Sequence, residues 1–348
     1  MYKRWVLWLL GLLITCLLGC VVVVFAVDPY QVYRRATAYR PIFYATEQAY
    51  NNAGLARNYP YDALIVGTSM TENFRPSLVD TTFGTQSIKV PFAGGMACDH
   101  AAVLALALRT HALTNVFYGL DAYSFVEAPG TSSLDMPAYL YNDDPLDDVS
   151  YLLNGMVLFQ RIPSIVKHNL LASDVLYTDR DALYAWGDAF TYGEAQALAS
   201  YDFAQPAEPM LEAEAYEAHV RENLARYVRP YLEAHPETRF TFFFPPYSAL
   251  QWYIMQQKGH LEAILYTREQ LAETLLAYDN VRLYDFSAYT EWVTDLDLYM
   301  DYNHYGPEIN DAMTRMMAGE ECLVRDIYDI YEHGDVLYAL AEDFPVPE

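Results

Sequence analysis

The chain has 348 residues, with 21 Lys and Arg against 46 Asp and Glu, a formal charge of −25. At 53% hydrophobic and 15% aromatic it can bury a sizeable core, which excludes global disorder. The acidity argues against nucleic acid as a partner, because a phosphate backbone requires basic stripes, while 32 tyrosines suit aromatic platforms for sugars or extended polymers.

Residues Trp5 to Val27 form an unbroken apolar run of 23 residues. At 1.5 Å per residue the run spans roughly 34 Å as a helix, enough for a hydrocarbon core of about 30 Å. Lys3 and Arg4 precede it and Asp28-Pro29 ends it. The positive-inside rule then places a tip, residues 1–4, in the cytoplasm, a transmembrane helix over 5–27, and residues 28–348 outside. Arg34 and Arg35 oppose that orientation weakly. Two other readings compete: a cleaved signal peptide, whose apolar region is normally only about 7–15 residues, and a lipoprotein box at Leu17-Leu18-Gly19-Cys20, after which the chain stays apolar instead of turning polar. All three leave the bulk of the chain extracytoplasmic. That part holds 19 basic against 46 acidic side chains, a charge of −27. Of its two cysteines, Cys98 and Cys322, a disulfide and two free thiols are equally compatible. There is no CxxC pair or Cys/His cluster, so no metal site is implied.

A connecting segment, 28–58, leads to alternating strands and helices over 59–318. Strands are expected at Asp62 to Val66, Ser87 to Phe92, Val116 to Leu120, Arg239 to Phe244 and Val281 to Phe286. Helices are expected over 97–110, 211–234 and 260–278, with a last one opening near Pro307, a favourable first-turn proline. This alternation predicts a three-layer α/β/α domain with a mainly parallel five-stranded sheet. Residues 122–210, rich in Tyr, Asp and Pro, interrupt it and read as an insertion over the strand ends. Residues 319–348 read as an acidic tail with a peripheral helix. In open parallel sheets, ligands bind at the carboxyl ends of the strands. Those ends are Ser69, Gly94-Gly95, Asp121 and Pro245-Pro246-Tyr247.

Ser69 follows the first strand in a Gly67-Thr68-Ser69 turn, where its hydroxyl can meet a ligand and its N–H an oxyanion. A hydroxyl that merely caps a turn reads the same way. Asp301-Tyr302-Asn303-His304 lies on a loop into the last helix; the acid three residues before the His can hold its tautomer while the other ring nitrogen faces a nucleophile. A surface His at a helix start is the bland alternative. Asn73 and Arg75 could bind a carboxylate or phosphate, and Tyr247, aimed by two prolines, could contact substrate. The remaining histidines are scattered and read as structural. No glycine-rich phosphate loop is present, so no cofactor is implied.

Together, Gly67-Thr68-Ser69 and Asp301-x-x-His304 resemble the SGNH (GDSL-like) hydrolase family over residues 60–318. The likeness leans to its divergent membrane-anchored branch, seen in D-alanyl-teichoic-acid and alginate O-acetylation proteins. The resemblance implies Ser69 as nucleophile, His304 as base, Asp301 as its orienter, and an oxyanion hole from the N–H groups of Ser69 and Gly94 or Gly95. The first motif is Gly-Thr-Ser instead of Gly-Asp-Ser. Asp121 stands where the family has an Asn; an ionised Asp donates no hydrogen bond and would repel an oxyanion, and the alternatives are a protonated Asp121, one that orients another group, or one that binds a substrate amine or hydroxyl. The implied function is an O-acyl esterase or acyltransferase acting on an envelope polysaccharide or teichoic-acid-like polymer, with a membrane acyltransferase as a candidate partner. The alternative is a non-catalytic glycan- or partner-binding envelope protein on the same fold.

Overall fold

The structure is a computed structural model that describes residues 2–171 and 179–347. Met1 of the expected tip, residues 172–178 of the expected insertion and Glu348 of the tail lie outside the described residues. The contacts divide the chain into two compact units, 1–60 with 135–179, and 61–134 with 180–348. The division therefore falls inside the expected insertion: its ends, 122–134 and 180–210, belong with the sheet.

In the first unit the apolar run is one α-helix, Tyr2–Val27, about 39 Å long at 1.5 Å per residue. It is long and apolar enough to cross a membrane, and Val24 is its one buried residue. Arg34 closes its C-terminal end by donating to the carbonyls of Phe25 and Ala26 (2.9 and 2.6 Å), which satisfies orphan acceptors at the negative end of the helix dipole. Asp28 then turns the chain. Its buried carboxylate accepts from the N–H groups of Val32, Tyr33 and Arg34 and from the Tyr151 hydroxyl. Glu47 is held by Tyr30 and Arg161, and the Arg161 guanidinium lies 4.2 Å from the Tyr44 ring centre.

The second unit is built on five parallel strands, β1 (Ala63–Val66), β2 (Ser87–Lys89), β3 (Asn115–Gly119), β4 (Arg239–Phe244) and β5 (Val281–Asp285), in the order β2-β1-β3-β4-β5. Every residue of β1 and β3 is buried, as strands covered on both faces require. Helix Pro76–Phe83 packs on Pro307–Ala318, while Ala97–Thr110, Glu217–Tyr227, Leu261–Leu275 and Ile327–Glu342 pack successively on one another. With right-handed connections, the reversal of strand order at β1 sends these two groups to opposite faces.

The expected helix over 211–234 is broken. It consists of a 3₁₀ turn, Ala213–Tyr216, then Glu217–Tyr227 and Arg229–Ala234, because Pro230 has no N–H to continue the ladder. The second strand stops at Lys89, two residues before Pro91, although Val90 and Phe92 still donate to Ile65 and Gly67. β2 is an edge strand, where a proline is tolerated.

Candidate active site

β1 runs out to β2 and the chain returns to β3 on its other side, so the crevice between the carboxyl ends of β1 and β3 is the topological switch point. Ser69 stands there, half-buried, at the head of a 3₁₀ turn, Ser69–Thr71. Two glycines permit that turn. Gly67 has φ +151°, and a Cβ on it would come 2.7 Å from the Thr71 methyl; a Cβ on Gly119 would come 2.6 Å from the same methyl. Thr71 fills the gap between the two strands, and its hydroxyl returns to the Thr68 carbonyl at 2.8 Å.

The late loop reaches the same place. Asn310 Nδ2 donates to the Met70 carbonyl at 2.9 Å, tying the last helix of the sheet to the Ser69 turn. Ser69 Oγ lies 2.8 Å from His304 Nε2, and His304 Nδ1 lies 2.8 Å from Asp301 Oδ2. Asp301 Oδ1 also accepts from the N–H groups of Asn303 and His304, both at 2.7 Å. Burial alone would raise the Asp301 carboxyl, but the imidazole and these two N–H groups outweigh it and hold the carboxyl below its ordinary value. An ionised Asp301 fixes the proton on Nδ1 and leaves the Nε2 lone pair facing Ser69.

The two glycines expected at the oxyanion side differ. The Gly95 N–H donates to the Phe92 carbonyl at 2.8 Å and is already spent closing a turn. Gly94 is exposed at φ +64°, and its N–H, like that of Ser69, has no protein acceptor among the described residues. Of the N–H groups expected on the oxyanion side, those of Ser69 and Gly94 remain unspent. Beneath them His100 is fully buried, bonded through Nδ1 to the Tyr118 hydroxyl at 3.0 Å and pushed down to about 3 by burial, a neutral core histidine.

Asp121 follows β3 and caps the 3₁₀ turn Ala122–Phe125 by accepting from the Tyr123 N–H at 3.2 Å. Burial raises its carboxyl above the ordinary value; Tyr247, the Tyr123 N–H and the charge of His304 work the other way. Tyr247 points into the protein interior. It is 6% exposed, packs on Trp252 at 6.3 Å, and its buried hydroxyl faces Asp121 without a hydrogen bond of ordinary geometry. Asn73 is likewise used inside the protein: its Oδ1 accepts from the N–H groups of Trp186 and Gly187, both at 3.0 Å. Arg75 is paired in a fork with Asp311. Trp186 has no motif to mark it, and it is what Asn73 positions. Its ring stands edge-on to His304, 5.4 Å between centres at 89°, and Gly187 beside it packs directly on Pro307.

Among the described residues no group of three or more His, Cys, Asp or Glu is arranged to hold a metal ion. Cys98 and Cys322 are free thiols, and burial pushes each up to about 11.

Fold and site thus define an α/β protein with a Ser–His–Asp hydrogen-bonded chain at its switch point. No family model matches the chain, and no curated protein matches it. A solved structure described as "a putative platelet activating factor from Streptococcus pneumonia" is 13% identical, with a TM-score of 0.37, over 79% of this chain and 90% of that one. At that distance the likeness has no bearing on activity.

Proposed function

We propose that this chain is a serine-dependent O-acyl esterase or acyltransferase of the SGNH type, held at the membrane by its N-terminal helix with the sheet domain outside the cell, and acting on an envelope glycopolymer. The observation that carries the reading is the continuous chain from Ser69 Oγ through His304 to Asp301, with both links at 2.8 Å. His304 Nε2 takes the Ser69 proton as Oγ attacks the ester carbonyl, and the N–H groups of Ser69 and Gly94 face the oxyanion. The imidazolium then protonates the departing alcohol oxygen. Water, or the hydroxyl of an acceptor, attacks the acyl-serine by the same route in reverse, giving hydrolysis or transfer. The location of Lys3 and Arg4 before the apolar run supports the outward orientation. A polymer assembled at the membrane gives the anchor a purpose, and a membrane acyltransferase would be its natural neighbour.

The test is labelling of the purified chain by a fluorophosphonate, together with turnover of 4-nitrophenyl acetate. Wild type should label and turn over, and Ser69→Ala and His304→Ala should each lose both. A folded wild type that neither labels nor hydrolyses would favour the second reading, a glycan- or partner-binding protein. One observation speaks for that reading: the residue after β3, where the resemblance calls for an Asn donor, is Asp121.

A further inference from the structure

A cleft of about 700 Å³ is walled on one side by Tyr302, the residue after Asp301 in the His304 loop. We propose that it binds an uncharged, O-acylated glycan chain, stacked on its tyrosines. The proposal rests on the esterase reading and names the substrate class of that site.

The cleft's walls are the turn after β3, the helix Ala249–Gln257 after β4, and Tyr302 in the Asp301–His304 loop after β5. It therefore opens on the same sheet edge as Ser69. Strands lie about 4.8 Å apart, so the cleft leads away from β1 across two or three strand spacings. An acyl carbonyl at Ser69 would leave it empty. Its volume, within the ordinary 300–1,000 Å³ of sites that enclose a drug-sized molecule, far exceeds an acetyl group. What fills it is the body to which the acyl group is attached.

Four tyrosines face this space: Tyr123, Tyr201, Tyr216 and Tyr302. Tyr123 is 54% exposed although it stands only four residues beyond buried β3. Two of the others are held by neighbouring rings, and the third by its backbone. Tyr201 meets Phe203 edge-on at 5.1 Å, and Tyr216 stacks on His260 at 6.1 Å with its hydroxyl 2.5 Å from Nδ1. The Tyr302 backbone is pinned on both sides: its N–H donates to Ser200 Oγ at 3.0 Å, and its carbonyl accepts from Ser248 Oγ at 2.6 Å. Rings fixed before binding lose little entropy on binding. Flat apolar faces with hydroxyls at their rims match a sugar, which offers C–H faces and a rim of hydroxyls. Nucleic-acid bases would stack equally well, but a phosphate chain would meet a protein of charge −25. The cleft lining holds one Lys258 and one Asp202, so with His260 neutral its formal charge is zero and it offers no cationic surplus for a polyanion.

The experiment uses the full chain in detergent and compares kcat/KM on three probes. These are 4-nitrophenyl acetate, neutral O-acetylated xylo-, cello- and manno-oligosaccharides, and O-acetylated oligogalacturonate. At least one neutral oligosaccharide should exceed the anionic one by tenfold or more. Tyr123→Ala and Tyr201→Ala should each lower the ratio of glycan to aryl-acetate turnover about tenfold, and Tyr123→Phe should keep most of it. Equal ratios in the alanine variants, or preference for the galacturonate, would overturn the proposal. Absence of aryl-acetate turnover in wild type would instead count against the esterase reading. Calorimetric binding of the neutral oligosaccharides to wild type and to the alanine variants would then decide the cleft on its own.

Discussion

At the scale of single residues, Asp121 has the sharpest consequence. It follows β3, next to the strand that carries Ser69; under the proposed reading the oxyanion forms on that side, where an ionised Asp121 would repel it. Asp121→Asn removes the charge and supplies a donor. An oxyanion-hole donor is worth about 10²–10³ in rate where geometry is ideal, so a gain of about tenfold in 4-nitrophenyl acetate turnover is expected here. The raised carboxyl sets the pH dependence: the gain should be small where Asp121 is protonated and should grow as pH climbs above the ordinary carboxyl value of 3.8. A pH–rate profile of the two proteins checks it, and a variant no faster at any pH would remove Asp121 from the oxyanion side. Gly67 makes the complementary case in stability. With φ +151° and 2.7 Å between its added Cβ and the Thr71 methyl, Gly67→Ala should cost about 1–3 kcal/mol, read as a lower midpoint in denaturant.

At the scale of elements, two loops far apart in sequence depend on side chains that look unremarkable locally. Asn73 holds the turn that sets Trp186 against His304. Asn73→Ala leaves the half-buried Trp186 N–H and the buried Gly187 N–H without their acceptor, at about 1–3 kcal/mol, and lets the indole leave the imidazole. The expected result is a fall in kcat for the aryl acetate well beyond the loss in Tm; equal kcat would show that Trp186 does not orient His304. The C-terminal helix, Ile327–Glu342, is latched in a different way. His333 Nδ1 lies 2.9 Å from the buried carboxylate of Asp285, which Arg268 also holds at 2.5 Å. The Asp285 contact raises His333 above its ordinary 6.5, against the opposing effects of burial and Arg268, with Asp329 adding to the rise. A histidine raised on folding stabilises fully below 6.5 and loses that contribution as pH rises through its higher folded value. Amide exchange in the last helix should therefore speed up as pH goes from 6 to 9, after correction for intrinsic exchange. His333→Gln should flatten that response.

At the scale of the whole molecule, the N-terminal helix is long and apolar enough to cross a membrane and leaves nearly all its apolar side chains exposed, so the proposed anchor can be tested directly. The full chain should stay in the membrane pellet after an alkaline wash, and its mass should be that of the unprocessed sequence. A shortened chain would indicate signal cleavage, and a lipid-modified mass would indicate acylation at Cys20. Replacing Lys3 and Arg4 by Gln should mix the orientations, read by protease protection in spheroplasts, because those two residues are the basic charges before the apolar run.

Much of the scaffold is legible in the sequence because its causes are local. A 23-residue apolar run, short strands such as Ala63–Val66 bounded by turn residues, and Pro307 at a helix start need no distant partner to be recognised. Ser69, Asp301 and His304 were legible as strand-end and loop residues for the same reason. The chemistry between them was not, since the Ser69–His304 contact closes over 235 positions. Nor could local pattern show that the Gly95 N–H is already spent, that Asn73 and Tyr247 face inward, that Trp186 leans on His304, or that the tail's His333 meets Asp285. Local sequence sets backbone preference and apolar period. Which donors remain free and which rings face a cleft depends on side chains that meet only after the chain has folded, and those meetings make the candidate site.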